Sequence, residues 1–321
     1  MKMLFRHETV GSAVALALAV CLCGCIFEYP DCPPDEETDG RVKVEFDWAH
    51  APQAAPDGMG ILLYPSSGHS FWRYDLRPAG GFINPPDGHY HILTFNNDTE
   101  RVLFEDSGDF NTICLTTRTA QLTDGLTATY LGAQPPRGRE EAAQPVMAQP
   151  DMMWSAASPA ATLSEGDTIR LAPRQIIARY TVEVDSLVNG ASAVQMCMAV
   201  SGLSIARVLA DSANVDYAVT VPGSIYRHAS PALRGELLTF GDCASAPRNT
   251  LYIYFWLRDG QKQLHQFDVS GQVDGADDPL NVVIRIHRIE LPVTQGPSQG
   301  EGTGMDVGVD NWETVDIELS N

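Results

Sequence analysis

From Val42 onward the apolar residues of this chain return at every second position, in short runs closed by turn residues. In residues 41–48, RVKVEFDW, the set Val42, Val44, Phe46 and Trp48 alternates with Lys43, Glu45 and Asp47. A period of two lines one face of a pleated strand, whereas a helix would scatter the same residues around its axis. A Pro-Asp-Gly turn at 56–58 then introduces the apolar run Ile61 to Tyr64, which Pro65 and Gly68 end. The pattern recurs at 88–98, where Tyr90, Ile92 and Thr94 share a face, and at 109–118, 178–186, 193–202, 250–260, 264–273, 280–291 and 311–321. Only Ser204 to Ala213 has the spacing of a short helix. Many short strands with regular turns predict an all-β chain built of β-sandwiches.

Two stretches interrupt the pattern. Residues 132–150, GAQPPRGREEAAQPVMAQP, and 294–304, TQGPSQGEGTG, lack any period and read as mobile surface. Pro173 interrupts the chain before a fresh run starts at Ile176. The organisation expected is therefore an N-terminal sandwich over residues 41–172 and a C-terminal one over 173–321.

The first forty residues are different in kind. Lys2 and Arg6 precede an almost wholly small or apolar stretch, Val10 to Leu22, which is the layout of an export signal and is too short for a permanent membrane span. Leu22-Cys23-Gly24-Cys25 adds a small residue directly before a cysteine, as lipoprotein processing requires; Cys21 and Cys23 follow the bulkier Val20 and Leu22. Residues 1–24 read as a signal peptide and Cys25 as the lipidated residue, which tethers the protein to a membrane through its acyl chains. An ordinary cleaved signal is the alternative. Residues 25–40 are acidic and proline-bearing, and read as a flexible tether.

The chain holds 21 basic and 41 acidic residues, a formal charge of −20. Such a surface disfavours nucleic acid and anionic lipid and favours solubility. Beyond Cys25, Cys32, Cys114, Cys197 and Cys243 form no C-x-x-C pair, so no zinc or thioredoxin-like motif is indicated. An oxidising compartment permits disulfides. The simplest pairing within the expected domains joins Cys197 to Cys243 and Cys32 to Cys114, with free buried thiols as the alternative.

Chemistry is sparse. There is no H-E-x-x-H, no G-x-S-x-G and no phosphate-cradling loop with a lysine, so neither an enzyme nor a cofactor is expected. His89 and His91 share a strand face without a third ligand, and no metal site is assigned. Asp274, Asp277 and Asp278, and separately Asp306 and Asp310, are acidic loops that match no EF-hand and read as solvated. Phe71, Trp72 and Tyr74 are candidates for stacking on a sugar, against a default of sheet packing. Thr168, Ser186 and Ser212 each follow an aspartate and precede an apolar residue.

Several stretches carry a resemblance. The Pro-Asp-Gly-Met turn with its strand ending in Tyr-Pro, the GHYHILTFNND segment, the LAPRQIIARYTVEV junction, VSGLS after a Met-rich strand and the closing GTGMDVGVDNWETVDIEL occur in this order in fimbrillin-like lipoproteins of Bacteroidales. The resemblance spans about Val42 to Leu319. It implies two tandem transthyretin-like β-sandwich domains and a role as a fimbrial anchor or accessory subunit; the branch that this chain most resembles has no assigned function. In the family, stalk subunits polymerise after cleavage at an arginine removes the first strand. Arg41 stands in that position, yet a cut there would free the chain from Cys25, so the resemblance implies an uncleaved anchor. The acidic residues Asp35, Glu36 and Glu37 resemble an export signal for the outer face of the outer membrane, and Thr168, Ser186 and Ser212 resemble the O-glycosylation acceptors of the same bacteria.

Two function classes follow. One is an anchor or accessory structural subunit of a fimbria-like assembly, in contact with fimbrial subunits by β-strand addition. The other is a self-contained surface module that binds glycan or another extracellular ligand. The strand Trp312 to Leu319 reads as a closing strand of its own sandwich, with an intermolecular donor as the alternative.

Overall fold

The computed structural model describes residues 41–67, 70–126, 134–294 and 312–317. In chain order the strands of the first half are β1 (Val42–Phe46), β2 (Met59–Pro65), β3 (Trp72–Leu76), β4 (Gly81–Ile83), β5 (Gly88–Asn96), β6 (Leu103–Glu105), β7 (Cys114–Thr116), β8 (Trp154–Leu163), β9 (Thr168–Leu171) and β10 (Arg174–Gln175). The second half holds β11 (Ala178–Val188), β12 (Ala193–Ser204), β13 (Arg207–Val208), β14 (Ala218–Arg227), β15 (Leu233–Thr239), β16 (Thr250–Leu257), β17 (Lys262–Asp268), the helix α1 (Ser270–Asp274), β18 (Asn281–Glu290) and β19 (Trp312–Ile317). The chain is all-β, as its alternation predicts.

The N-terminal sandwich packs the three-stranded sheet β4-β1-β9 on the five-stranded sheet β10-β8-β5-β2-β3. Val42 and Val44 of β1 meet Ile61 and Leu63 of β2, Ile92 of β5 and Ile169 and Leu171 of β9 in the core. The five-stranded sheet is buried on its other face as well: Leu62 and Tyr64 of β2 and Leu93 and Phe95 of β5 join Ile113, Leu115, Ile176, Leu209 and Phe240 in a second cluster. Burial of both faces explains why β2 reads as a continuous apolar run rather than an alternating one.

The second half forms one sheet in the order β18-β11-β15-β14-β12-β16-β17-β19. Ile284 and Ile286 of β18 lie in the same buried cluster as Ile253 and Phe255 of β16, five places away along that order. The sheet therefore folds over onto itself to make a second sandwich. Part of the bend is at Gly202, where the register of β12 against β14 shifts; its φ is +79° and a Cβ there would stand 2.3 Å from the Arg248 carbonyl oxygen. Only glycine meets both conditions at low cost. β10 still pairs with β8, and β11 opens the second sheet at Ala178. Gly40–Asn321 clusters as one compact unit.

Three expectations give way. Ser204 to Ala213 is not a helix: it finishes β12, and Arg207 and Val208 pair with Leu115 and Cys114 of β7. The run 264–273 is strand only to Asp268, after which Ser270–Asp274 turns into α1. The Pro- and Ala-rich stretch is no mobile surface over residues 134–150. It is a strap lying on the outer face of the second sandwich, where its Val146, together with Leu122 from the preceding turn at 122–125, covers Cys197, Tyr252 and Tyr254. Tyr254 donates to the Pro136 carbonyl at 2.9 Å, Gly138 N donates to Tyr252 Oη at 3.2 Å, and Arg137 donates to Thr220 Oγ1 at 2.8 Å. A segment with no repeating backbone ladder can still be fixed when side chains take its polar groups.

Candidate functional site

The first strand and its surroundings are the part of the fold on which the expected anchoring role turns. Arg41 is exposed and directly precedes β1. β1 runs antiparallel to β4, with Val42 opposite Ile83, and parallel to β9, with Val44 opposite Ile169. It is thus the middle strand of its sheet, with Val42 2% and Val44 1% exposed. Glu45 ties its polar face down through Lys43 at 2.8 Å and Arg170 at 2.9 Å, and these contacts hold the Glu45 carboxyl below its ordinary value. Removing β1 would open an apolar groove and leave β4 and β9 without a shared partner.

The two ends of the second sheet are finished differently. At one end β19 runs parallel to β17, Lys262 opposite Trp312 and Phe267 opposite Ile317. Trp312 packs edge-on against Tyr254 and Trp256, with ring centroids 5.4 and 5.2 Å apart, and Ile317 packs on the core. Within the described residues β19 closes the sandwich of its own chain. Beneath it, His265 is 1% exposed, edge-on to Phe255, and burial pushes its imidazole down to about 4 against the pull of Glu313. At the other end β18 is the edge strand, and Gln272 of α1 bonds to the main chain of Arg285.

The residues singled out from sequence are dispersed. Cys25, Cys32, Asp306 and Asp310 lie outside the described residues. The expected Cys197–Cys243 disulfide is not formed: Cys197 Sγ faces the Leu122 carbonyl at 3.6 Å, Cys243 Sγ faces Asp216 Oδ1 at 3.4 Å, and Cys114 is also a free thiol. Cys197 is held on β12 and Cys243 in the loop between β15 and β16, and the two thiols face different neighbours. Burial pushes the Cys197 thiol up to about 12. Phe71, Trp72 and Tyr74 make no common platform. Phe71 packs on Tyr64 at 5.4 Å, Tyr74 packs on the sandwich core on the opposite side of the sheet, and Trp72 alone is 46% exposed. His89 pairs with Thr162 Oγ1 at 2.9 Å while His91 stacks on Phe110, and no metal-holding group of His, Cys, Asp or Glu occurs among the described residues. Thr168 and Ser186 are exposed in β9 and β11; Ser212 is half-buried in the turn after β13, at φ +58°.

Sequence reading missed the buried ion pair of the strap. Glu141 is 1% exposed; Arg248 Nε donates to its Oε1 at 2.7 Å and Thr250 Oγ1 at 3.1 Å. Burial pushes the Glu141 carboxyl up, but these donors and its own backbone N–H outweigh that and hold it below its ordinary value. No local signal marks a pair more than a hundred positions apart.

Residues 34–223 match the model of a protein family described as a domain of unknown function, DUF5119, which is more than half of the chain. The chain belongs to the DUF5119 family. This DUF5119 protein is also 27% identical over 110 residues to a candidate fimbrium anchoring subunit, Fim4B, of Bacteroides ovatus; the match covers 34% of this chain and 32% of that relative, about a third of its length. A solved candidate adhesin from Bacteroides ovatus superposes with a TM-score of 0.58 at 15% identity, over 80% of this chain and 96% of the other. A solved candidate polysaccharide-binding protein of Bacteroides thetaiotaomicron gives 0.50 at 10% identity, over 78% of this chain and 91% of that one. The two structural likenesses show that the DUF5119 chain shares its β-sandwich fold with those two proteins.

Proposed function

We propose that this DUF5119 protein is a lipid-anchored outer-membrane protein at the cell surface, serving as an anchoring or accessory structural subunit of a fimbria-like assembly in adhesion. In this reading residues 1–24 are removed, Cys25 carries the acyl chains, residues 25–40 are the tether, and sandwich domains over 41–172 and 173–321 present the assembly surface. The role is structural and not enzymatic. One observation carries it: β1 is paired on both sides and fills its own groove, immediately after the exposed Arg41. A chain that must stay joined to a lipid upstream has to keep this strand, and a filled groove suits a subunit that ends or decorates a polymer. The lipoprotein pattern at Cys25 and the partial likeness to a candidate fimbrium anchoring subunit support the same reading.

The test is mass spectrometry of the protein extracted from native membranes, together with protease shaving of intact cells. An acylated Cys25 on a chain that retains residues 41–46, with surface release by protease, is the expected outcome. A lipid-free chain that begins beyond Arg41 would overturn the proposal.

A further inference from the structure

A cleft of about 380 Å³ opens where β8 and β10 of the first sandwich meet the turn that follows β13. Ser155, Arg174, Arg207, Asp211 and Ser212 line it, with Ala156 and Leu209 as apolar walls. Its donors are unusual for a chain of charge −20. Ser155 is 5% exposed, and its Oγ has no hydrogen-bond partner among the described residues. Arg174 lies directly opposite Ser155 in the β10–β8 register, exposed, with Nη2 3.3 Å from His50 Nε2. Arg207 spends Nη1 on the Phe240 carbonyl at 3.1 Å, but its Nε is shielded from solvent and has no partner among the described residues. Burial disfavours the charge on Arg207 and Asp211 offsets this only in part. Asp211 is itself exposed, and its Oδ1 accepts the Ala213 N–H at 2.9 Å.

Buried donors without acceptors are rare in folded proteins because each forfeits its bond to water. Two of them in the wall of one cleft, beside a second guanidinium, want an oxyanion: among the described residues no carboxylate bonds to either arginine, and Asp211 accepts the Ala213 N–H instead. Guanidinium forks suit carboxylates and other planar or tetrahedral oxyanions, to which they give charge-assisted bonds. We propose that the cleft binds the carboxylate or sulfate group of a small anionic ligand, held by Arg207 and Arg174 with Ser155 as the third donor. This site is separate from the assembly reading and involves none of Phe71, Trp72 or Tyr74.

The experiment is isothermal titration of the detergent-solubilised full chain with sodium glucuronate, sodium sulfate and glucose at matched ionic strength. Saturable one-to-one binding of an anion, with none for glucose, is the expected result. Tighter glucuronate than sulfate assigns a carboxylate, and the reverse assigns a sulfate. Arg174→Gln, at an exposed position that the fold does not need, should weaken binding roughly tenfold or more, as loss of a charge-assisted pair does. Ser155→Ala should weaken it less, with an unchanged melting curve. No saturable heat from either anion, equal binding of glucose, or full affinity in Arg174→Gln would overturn the inference.

Discussion

Gln272 satisfies both main-chain groups of Arg285: its Oε1 accepts the Arg285 N–H at 2.7 Å, and its Nε2 donates to the Arg285 carbonyl at 3.1 Å. One side-chain amide thus stands in for a neighbouring strand in the middle of β18, the edge of an eight-stranded sheet. Edges left open recruit other chains, and proteins commonly block them. Gln272→Ala should cost about 1–2 kcal/mol for the two lost bonds. It should also make the protein self-associate as concentration rises. Equilibrium denaturation and sedimentation check both, and a monomer unchanged at high concentration would show that α1 does not guard this edge.

His265 sets a pH limit on the second sandwich. Its imidazole titrates near 4 in the fold and at 6.5 when exposed, so the unfolded chain binds the extra proton between those values. Stability should therefore be full above about 6.5 and fall as the pH drops toward 4. Between pH 7 and 4.5 the loss amounts to roughly 2–3 kcal/mol. His265→Leu should flatten that slope in urea melts taken across the range.

The sequence makes strands legible where one face is wet. β1 and β11 alternate as their half-exposed positions demand, with β11 burying Ala178, Tyr180, Val182 and Val184 in turn. It is less informative where both faces are covered: β16 buries all eight of its residues, so its period vanishes although its β-branched and aromatic content still marks a strand. The strap is hidden because its anchors are distant in sequence, Pro136 with Tyr254 and Glu141 with Arg248. The trio Phe71, Trp72 and Tyr74 misleads in the opposite way. Adjacent in sequence, they are divided by the pleat between two clusters and solvent. Ser155 and Arg207 carry no motif at all, and only the fold brings them to one cleft.

The free cysteines should react in order of exposure. Cys197 is 0% exposed with its thiol raised to about 12 by burial, and the thiolate is the reactive form. Cys114 is half-buried, and burial raises its thiol too, with Glu105 and Asp106 adding to the shift. In the native protein a thiol reagent should label Cys114 well before Cys197, which should yield only on unfolding. Peptide mapping after timed labelling reads this, and early modification of Cys197 would mean that its cover, Leu122 together with the strap, opens readily.

Arg248 should matter more to stability than its surface position suggests. It is 42% exposed, but the carboxylate it serves is 1% exposed, and among the described residues only Thr250 supplies Glu141 with another side-chain donor. Removing one partner of such a pair leaves a buried charge, which costs more than the pair itself contributes. Arg248→Ala should destabilise by about 2–3 kcal/mol, below the range for fully buried pairs because water reaches the arginine. Glu141→Gln, which removes the charge and keeps the shape, should cost less. Gly138→Ala tests the same contact from the other side, because a Cβ there would stand 2.3 Å from Glu141 Oε2. The Glu141 carboxyl is held below its ordinary 4.5, so its contribution is complete above that value and is lost as the pH falls through the folded one. That window lies below the one set by His265. Denaturation series at pH 7, 5 and 3.5 should therefore separate the two: His265→Leu alters the upper limb, and Arg248→Ala flattens the lower.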